Sequence, residues 1–71
     1  MTGNEYRAAI RRLGLSQAGA ARLLGVNETT SRRWIKDKHP IPISADLLLR
    51  VMVAHRITPE NVMLLSTKKL K

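Results

Sequence analysis

Eleven residues from Leu24 to Trp34, LGVNETTSRRW, hold much of the hydrogen-bonding chemistry of this 71-residue chain. Glu28 supplies a carboxylate, Thr29 and Thr30 supply hydroxyls beside methyl groups, Asn27 an amide, and Arg32 and Arg33 planar forks of N–H donors. Such a set offers donors and acceptors to another molecule rather than making or breaking bonds. Catalytic chemistry has little to draw on. The chain has no cysteine, and His39 and His55 stand sixteen residues apart, without helical or metal-ligand spacing. No nucleophile–base pair, metal-ligand cluster or phosphate-cradling glycine loop is visible, so neither catalysis, a metal nor a cofactor is expected. His39 beside Pro40 reads as loop, and His55 as a helix end, where a cation is favoured.

Charge narrows the partner. Thirteen Lys+Arg against five Asp+Glu leave a formal net charge of +8, which favours nucleic acid first and an acidic membrane surface second. The plain alternative is a basic surface serving solubility. Tyr6 and Trp34 are the only aromatic residues, too few for the stacking that single-strand binding needs. The opening MTGNEYRAAI has no apolar signal core, and no run approaches the ~20 apolar residues that span a bilayer, so a cytoplasmic protein is expected.

The elements that must position these groups are helices. Apolar spacing and stop signals predict five, with no alternating strand pattern, and the fold class is all-α. The first runs from about Asn4 to Leu13, Tyr6, Ile10 and Leu13 facing one way and Arg7, Arg11 and Arg12 the other, and Gly14 ends it. Ser16 caps a second helix, QAGAARLL, which Gly25 terminates in a left-handed conformation. Asn27 caps a third, ETTSRRWIKD. Pro40 and Pro42 force an extended connection, Ser44 caps a fourth helix, ADLLLRVMVAHR, and Thr58-Pro59-Glu60 starts a fifth. One domain over residues 1–66 is expected, with a basic tail over 67–71. A chain this small has an economical core that helix packing must supply, with dimerisation as an aid.

Only Gly25-Val26-Asn27 separates the second helix from the third. Helices joined this tightly cross steeply and need small contact residues, which Ala18, Gly19, Ala20 and Ala21 provide. From Gln17 to about Lys36 the chain resembles the Cro/repressor type of helix-turn-helix (lambda repressor-like, XRE family). The matching residues are Gln17 at the start, Ala21 four positions on, Leu24-Gly25-Val26 at the turn and Trp34 at the second apolar site of the third helix. The flanking helices also fit that arrangement. Ser31 departs from it, standing where the family usually has valine or isoleucine, and its hydroxyl requires a partner, such as a carbonyl one turn earlier.

The resemblance implies that the third helix enters the DNA major groove while the second crosses the backbone. Glu28, Thr29 and Arg33 would then face base edges, with Arg32 at the groove edge, and Gln17, Asn27, Thr30, Lys36 and Lys38 would hold phosphates. Arginine can pair with guanine O6 and N7, the threonine methyl can meet thymine, and glutamate can accept from cytosine N4. Duller readings compete. Glu28 also serves as a first-turn acid that stabilises its own helix by ~0.3–1 kcal/mol. Arg7, Arg11 and Arg12 also read as a solvated face, and Trp34 as core rather than a stacking platform.

In the fourth helix, LLLRVMV is apolar on more than one side. Leu47, Leu48 and Val51 are expected in the core, leaving Leu49, Met52 and Val53, with Met63 from the fifth helix, for a homodimer interface. Alternatively Ile57, Val62 and Leu65 cover the surplus. A dimer would set two recognition helices ~34 Å apart on a palindrome. The expected function is a sequence-specific double-stranded DNA-binding regulator, a repressor acting by operator occupancy, with no small-molecule effector. The alternative is a protein-interaction adaptor or antitoxin-type partner-binding protein. RNA is disfavoured because a recognition helix enters the deep, narrow groove of A-form helices poorly.

Overall fold

Four of the five helix starts are set by a side-chain oxygen that takes an otherwise unpaired amide. The computed structural model describes residues 1–67, with side chains through 64. Among these, α1 spans Gly3–Arg12, α2 Gln17–Leu24, α3 Glu28–Ile35, α4 Ile43–His55 and α5 Pro59–Thr67, and no strand is present. Ser16 accepts from the Gly19 amide at 3.0 Å, Asn27 from Thr30 at 2.9 Å and Thr58 from Asn61 at 3.1 Å. The fourth cap lies one residue earlier than the sequence reading allows. Thr2 Oγ1 accepts from the Glu5 amide (3.1 Å) while Glu5 accepts from the Thr2 amide (2.8 Å), a reciprocal capping box.

Helix α4 differs from expectation at its start. Pro42 is its N-cap and Ile43 its first residue, so Ser44 lies inside the helix and caps nothing. A proline there needs no amide, and its extended ψ of 147° sets the entry angle. Helix α3 also stops early, at Ile35. Asp37 takes a left-handed φ of 56°, and its Oδ1 accepts from the Gly3 amide at 2.8 Å. The start of α1 therefore abuts the end of α3. A Cβ at Gly3 would lie 2.2 Å from the Ile35 carbonyl oxygen, so only glycine fits this contact. Ser66 and Thr67, expected near or in the tail, belong to α5, and Lys68 to Lys71 lie outside the described residues.

Packing joins α2 to α3 and α1 to both α3 and α4. The core holds Tyr6, Ala9, Ile10, Ala20, Trp34, Ala45 and Leu49, with Met52 also fully buried. Tyr6 and Trp34 meet edge to face, 5.4 Å between centroids at 90°. Ala20 and Ala21 are the buried small residues of α2, whereas the missing Cβ of Gly19 would meet Ser16 Oγ and Leu15 rather than α3.

The buried face of α4 is opposite to the expected one. Ala45, Leu49 and Met52, spaced i, i+4 and i+7, turn inward, and Val53 packs half-buried beside them. Leu49 and Met52 are 0% exposed, so neither forms a dimer interface. Leu47 and Val51, expected in the core, are 58% and 47% exposed, and Ile43 is 76% exposed. A helix apolar on more than one side carries an ambiguous periodic signal for its inner face, and packing against α1 decided it. On its flank Asp46 pairs with Arg50, which also lies 3.9 Å from Glu5 of α1. Helix α5 shares a groove with α2, lined by Leu15, Leu23, Pro59 and Met63, and leaves the outer face of α4 open.

Candidate nucleic-acid interface

Ser31 and Trp34 decide which way α3 faces. Both are buried, and the opposite arc therefore presents Thr29, Arg32, Arg33 and Lys36, spaced i, i+3, i+4 and i+7, to solvent. Three cations and a hydroxyl thus share one helical face. Lys38 is exposed in the loop that follows.

Glu28 stands at the edge of this face and forms an ion pair with Arg32 one turn on. The pair is exposed, a geometry that stabilises a helix by ~0.3–0.5 kcal/mol. It also occupies one guanidinium edge of Arg32. Arg33 has a partner that sequence reasoning missed: its Nη1 lies 3.3 Å from His39 Nε2. Arginine only donates, so Nε2 accepts. No sequence pattern signals this contact, because His39 comes from the loop between α3 and α4.

The expected phosphate-holding residues fall into two groups. Asn27 uses its Oδ1 for the Thr30 amide and for the Thr30 hydroxyl, at 2.9 and 3.0 Å. The amide nitrogen of Asn27 stays available, whereas the Thr30 proton is committed within the cap. Gln17 is half-buried, and its Oε1 accepts from the Ser31 hydroxyl at 2.8 Å.

Ser31 is satisfied differently from the expected carbonyl bond. Its single proton goes to Gln17, so the Tyr6 hydroxyl, 2.6 Å away, must donate to Ser31 Oγ. The resulting chain, Tyr6 to Ser31 to Gln17, runs from the core to the half-buried start of α2 and uses the oxygen of the Gln17 amide. Among the described residues no buried side-chain nitrogen or oxygen lacks a partner. Burial pushes the Tyr6 hydroxyl above its ordinary pKa, and the Ser31 contact offsets this in part.

Of the dimer residues, Leu49 and Met52 are core, Val53 is half-buried against the core, and Met63 alone is exposed, at 46%. No group of three or more His, Cys, Asp or Glu among the described residues is arranged to hold a metal, and none of the helices is long and apolar enough to cross a membrane. No protein-family model matches the chain, and no match is found among curated proteins or solved structures.

Proposed function

We infer that the protein is a sequence-specific double-stranded DNA-binding regulator, a repressor that occupies an operator with α3 in the major groove. The observation that carries this reading is the α3 face: Thr29, Arg32, Arg33 and Lys36 are aligned outward while Ser31 and Trp34 anchor the helix from behind. A rigid helix with two arginine forks and a hydroxyl–methyl group matches the donor and acceptor pattern of base edges. The net charge of +8 adds the sequence-independent attraction. The resemblance of Gln17 to Lys36 to repressor helix-turn-helix segments supports the same assignment.

The homodimer part of the reading moves to another surface. Ile43, Leu47 and Val51 form an exposed i, i+4, i+8 stripe on α4 that carries no charge, in a chain otherwise strongly cationic. Antiparallel about Leu47, the stripe is its own complement, Ile43 meeting Val51 of a second copy and the reverse, as a two-fold contact requires. Three side chains fall short of the ~800 Å² per partner typical of stable complexes. With so small a contact the protein is monomeric in free solution and pairs only on adjacent half-sites.

Selection from a random duplex library, followed by titration at several salt concentrations, tests the function. Enrichment of one short site, with affinity falling steeply in salt, is the expected result. If no sequence is enriched and every duplex binds weakly, the regulator reading fails, and the apolar face of α4 then favours an adaptor that binds protein.

A further inference from the structure

Arg32 and Arg33, neighbours on α3, are held by different chemistry. Arg32 is paired with the Glu28 carboxylate, which offsets its charge. Arg33 pairs with no carboxylate among the described residues, and its guanidinium instead meets His39 Nε2 at 3.3 Å. A neutral acceptor takes one Nη1 proton, restricts the plane of the guanidinium and leaves its full charge, with four N–H groups free. Two of those suffice for the fork that meets guanine O6 and N7. The turn that carries His39 is pinned on both sides. Before it, the Asp37 and Lys38 amides donate to the Trp34 and Arg33 carbonyls at 3.1 and 2.9 Å, and Asp37 Oδ1 accepts from the Gly3 amide at 2.8 Å. After it, Pro40 narrows the backbone freedom of His39, and Ile41 packs half-buried on the core. A fixed loop thus offers an acceptor to a long side chain that would otherwise sample many rotamers.

We propose that His39 is a positioning residue for base discrimination: by accepting from Arg33 Nη1 it pre-orients the guanidinium toward one base pair, and it acts only through Arg33. The proposal rests on the duplex-DNA reading above and adds to it a specificity determinant from the turn after α3. An arginine already ordered loses less freedom when it meets a base. Because the partner is neutral, that order comes without the offset of charge that Glu28 imposes on Arg32. The two arginines therefore differ in role, Arg33 being the pre-set reader of the pair.

The test uses the duplex selected from the random library and a set of duplexes with each base pair replaced in turn. The base pair at which Arg33→Ala abolishes discrimination is the one that Arg33 reads. His39 is exposed, so changes there are compatible with folding. His39→Ala is expected to lower the ratio of affinities for preferred over replaced duplex about three- to tenfold at that base pair, and to leave the other positions unchanged. His39→Gln keeps an acceptor in about the place of Nε2 and is expected to restore the wild-type ratio. His39→Lys has donors only and faces Arg33 with a like charge. It is expected to lose the ratio as His39→Ala does while binding random duplex more tightly, through its added cation. In an Arg33→Ala background none of the three is expected to change discrimination at any base pair. A wild-type ratio in His39→Ala or His39→Lys overturns the proposal, as does His39→Gln behaving like His39→Ala. Equal losses at every base pair, or losses that persist in the Arg33→Ala background, show His39 acting other than through Arg33 and overturn it too. An Arg33→Ala protein with unchanged discrimination leaves His39 nothing to position and also overturns it. Wild-type protein that binds no duplex overturns the DNA reading and this inference together, an outcome distinct from all the others.

Discussion

The hydroxyl oxygens of Tyr6 and Ser31 lie 2.6 Å apart with both side chains fully buried, and they join α1 to α3 through the core. Removing one partner strands the other. Ser31→Ala leaves a buried phenol without an acceptor and is expected to cost about 1–3 kcal/mol. Adding Tyr6→Phe removes the stranded group, so the double variant loses less than the two single changes summed. Urea unfolding of all four proteins measures the coupling.

The same burial makes stability depend on alkaline pH. The Tyr6 hydroxyl ionises above its ordinary value of 10.0 in the folded chain, so the unfolded chain loses its proton first. Stability is complete below pH 10 and falls as pH rises through the raised value. A phenolate absorbance midpoint that lies higher in the folded chain than in the urea-unfolded chain is the expected signature, and Tyr6→Phe abolishes it.

Acid acts on another pair. The hydrogen bond from Arg50, followed by that from the Met1 amine, holds the Asp46 carboxyl below its ordinary value of 3.8. Glu5 is also held low, chiefly by the Thr2 amide. Both contributions are present above the ordinary carboxylate range and vanish as pH falls through the lowered values. Asp46→Asn is expected to lower stability at neutral pH and flatten its decline in acid, read from thermal unfolding between pH 6 and about 2.

Gly3 and Gly14 separate two kinds of glycine requirement. At Gly14 the φ of 71° is left-handed but a Cβ meets nothing within 4 Å, so Gly14→Ala is expected to cost only the strain of that conformation, about 1–2 kcal/mol. At Gly3 the Cβ runs into the carbonyl oxygens of Trp34 and Ile35, at 2.7 and 2.2 Å, and α1 must shift off α3. Gly3→Ala is therefore expected to lower the melting temperature and also to weaken the proposed DNA binding by displacing α3.

On the proposed interface, Arg33→Ala is expected to cost about 1–3 kcal/mol on the preferred site and to relax the choice of base there. Lys36→Ala weakens all sequences alike. Glu28→Gln frees Arg32 from its ion pair, so binding to every duplex tightens while discrimination changes at one position if Glu28 reads a base. Leu47→Glu leaves single half-site affinity unchanged and removes cooperativity between adjacent half-sites, as gel-shift titration on one-site and two-site duplexes would show.

The sequence by itself determined that the chain forms five helices and where most of them start and stop, because those signals are local. Ser16, Gly25, Asn27 and Thr58 act within one turn of themselves, and each cap or stop stands where its chemistry requires. It also determined the outward face of α3, since Trp34 could only be inside and the charged residues on the opposite side could only be outside. Tertiary structure decided what depends on residues far apart in the chain. The inner face of α4 was open in a run apolar on more than one side, and only packing against α1 placed Leu49 and Met52 inside and Leu47 and Val51 outside. Ser31 looked like a misfit because its partners, Tyr6 and Gln17, lie 25 and 14 residues away. The requirement for glycine at position 3 exists only because the close of α3 is set against it. Local hydrogen bonds and periodicity are written in neighbouring residues, whereas a buried polar chain and a choice between two apolar faces exist only once the helices meet.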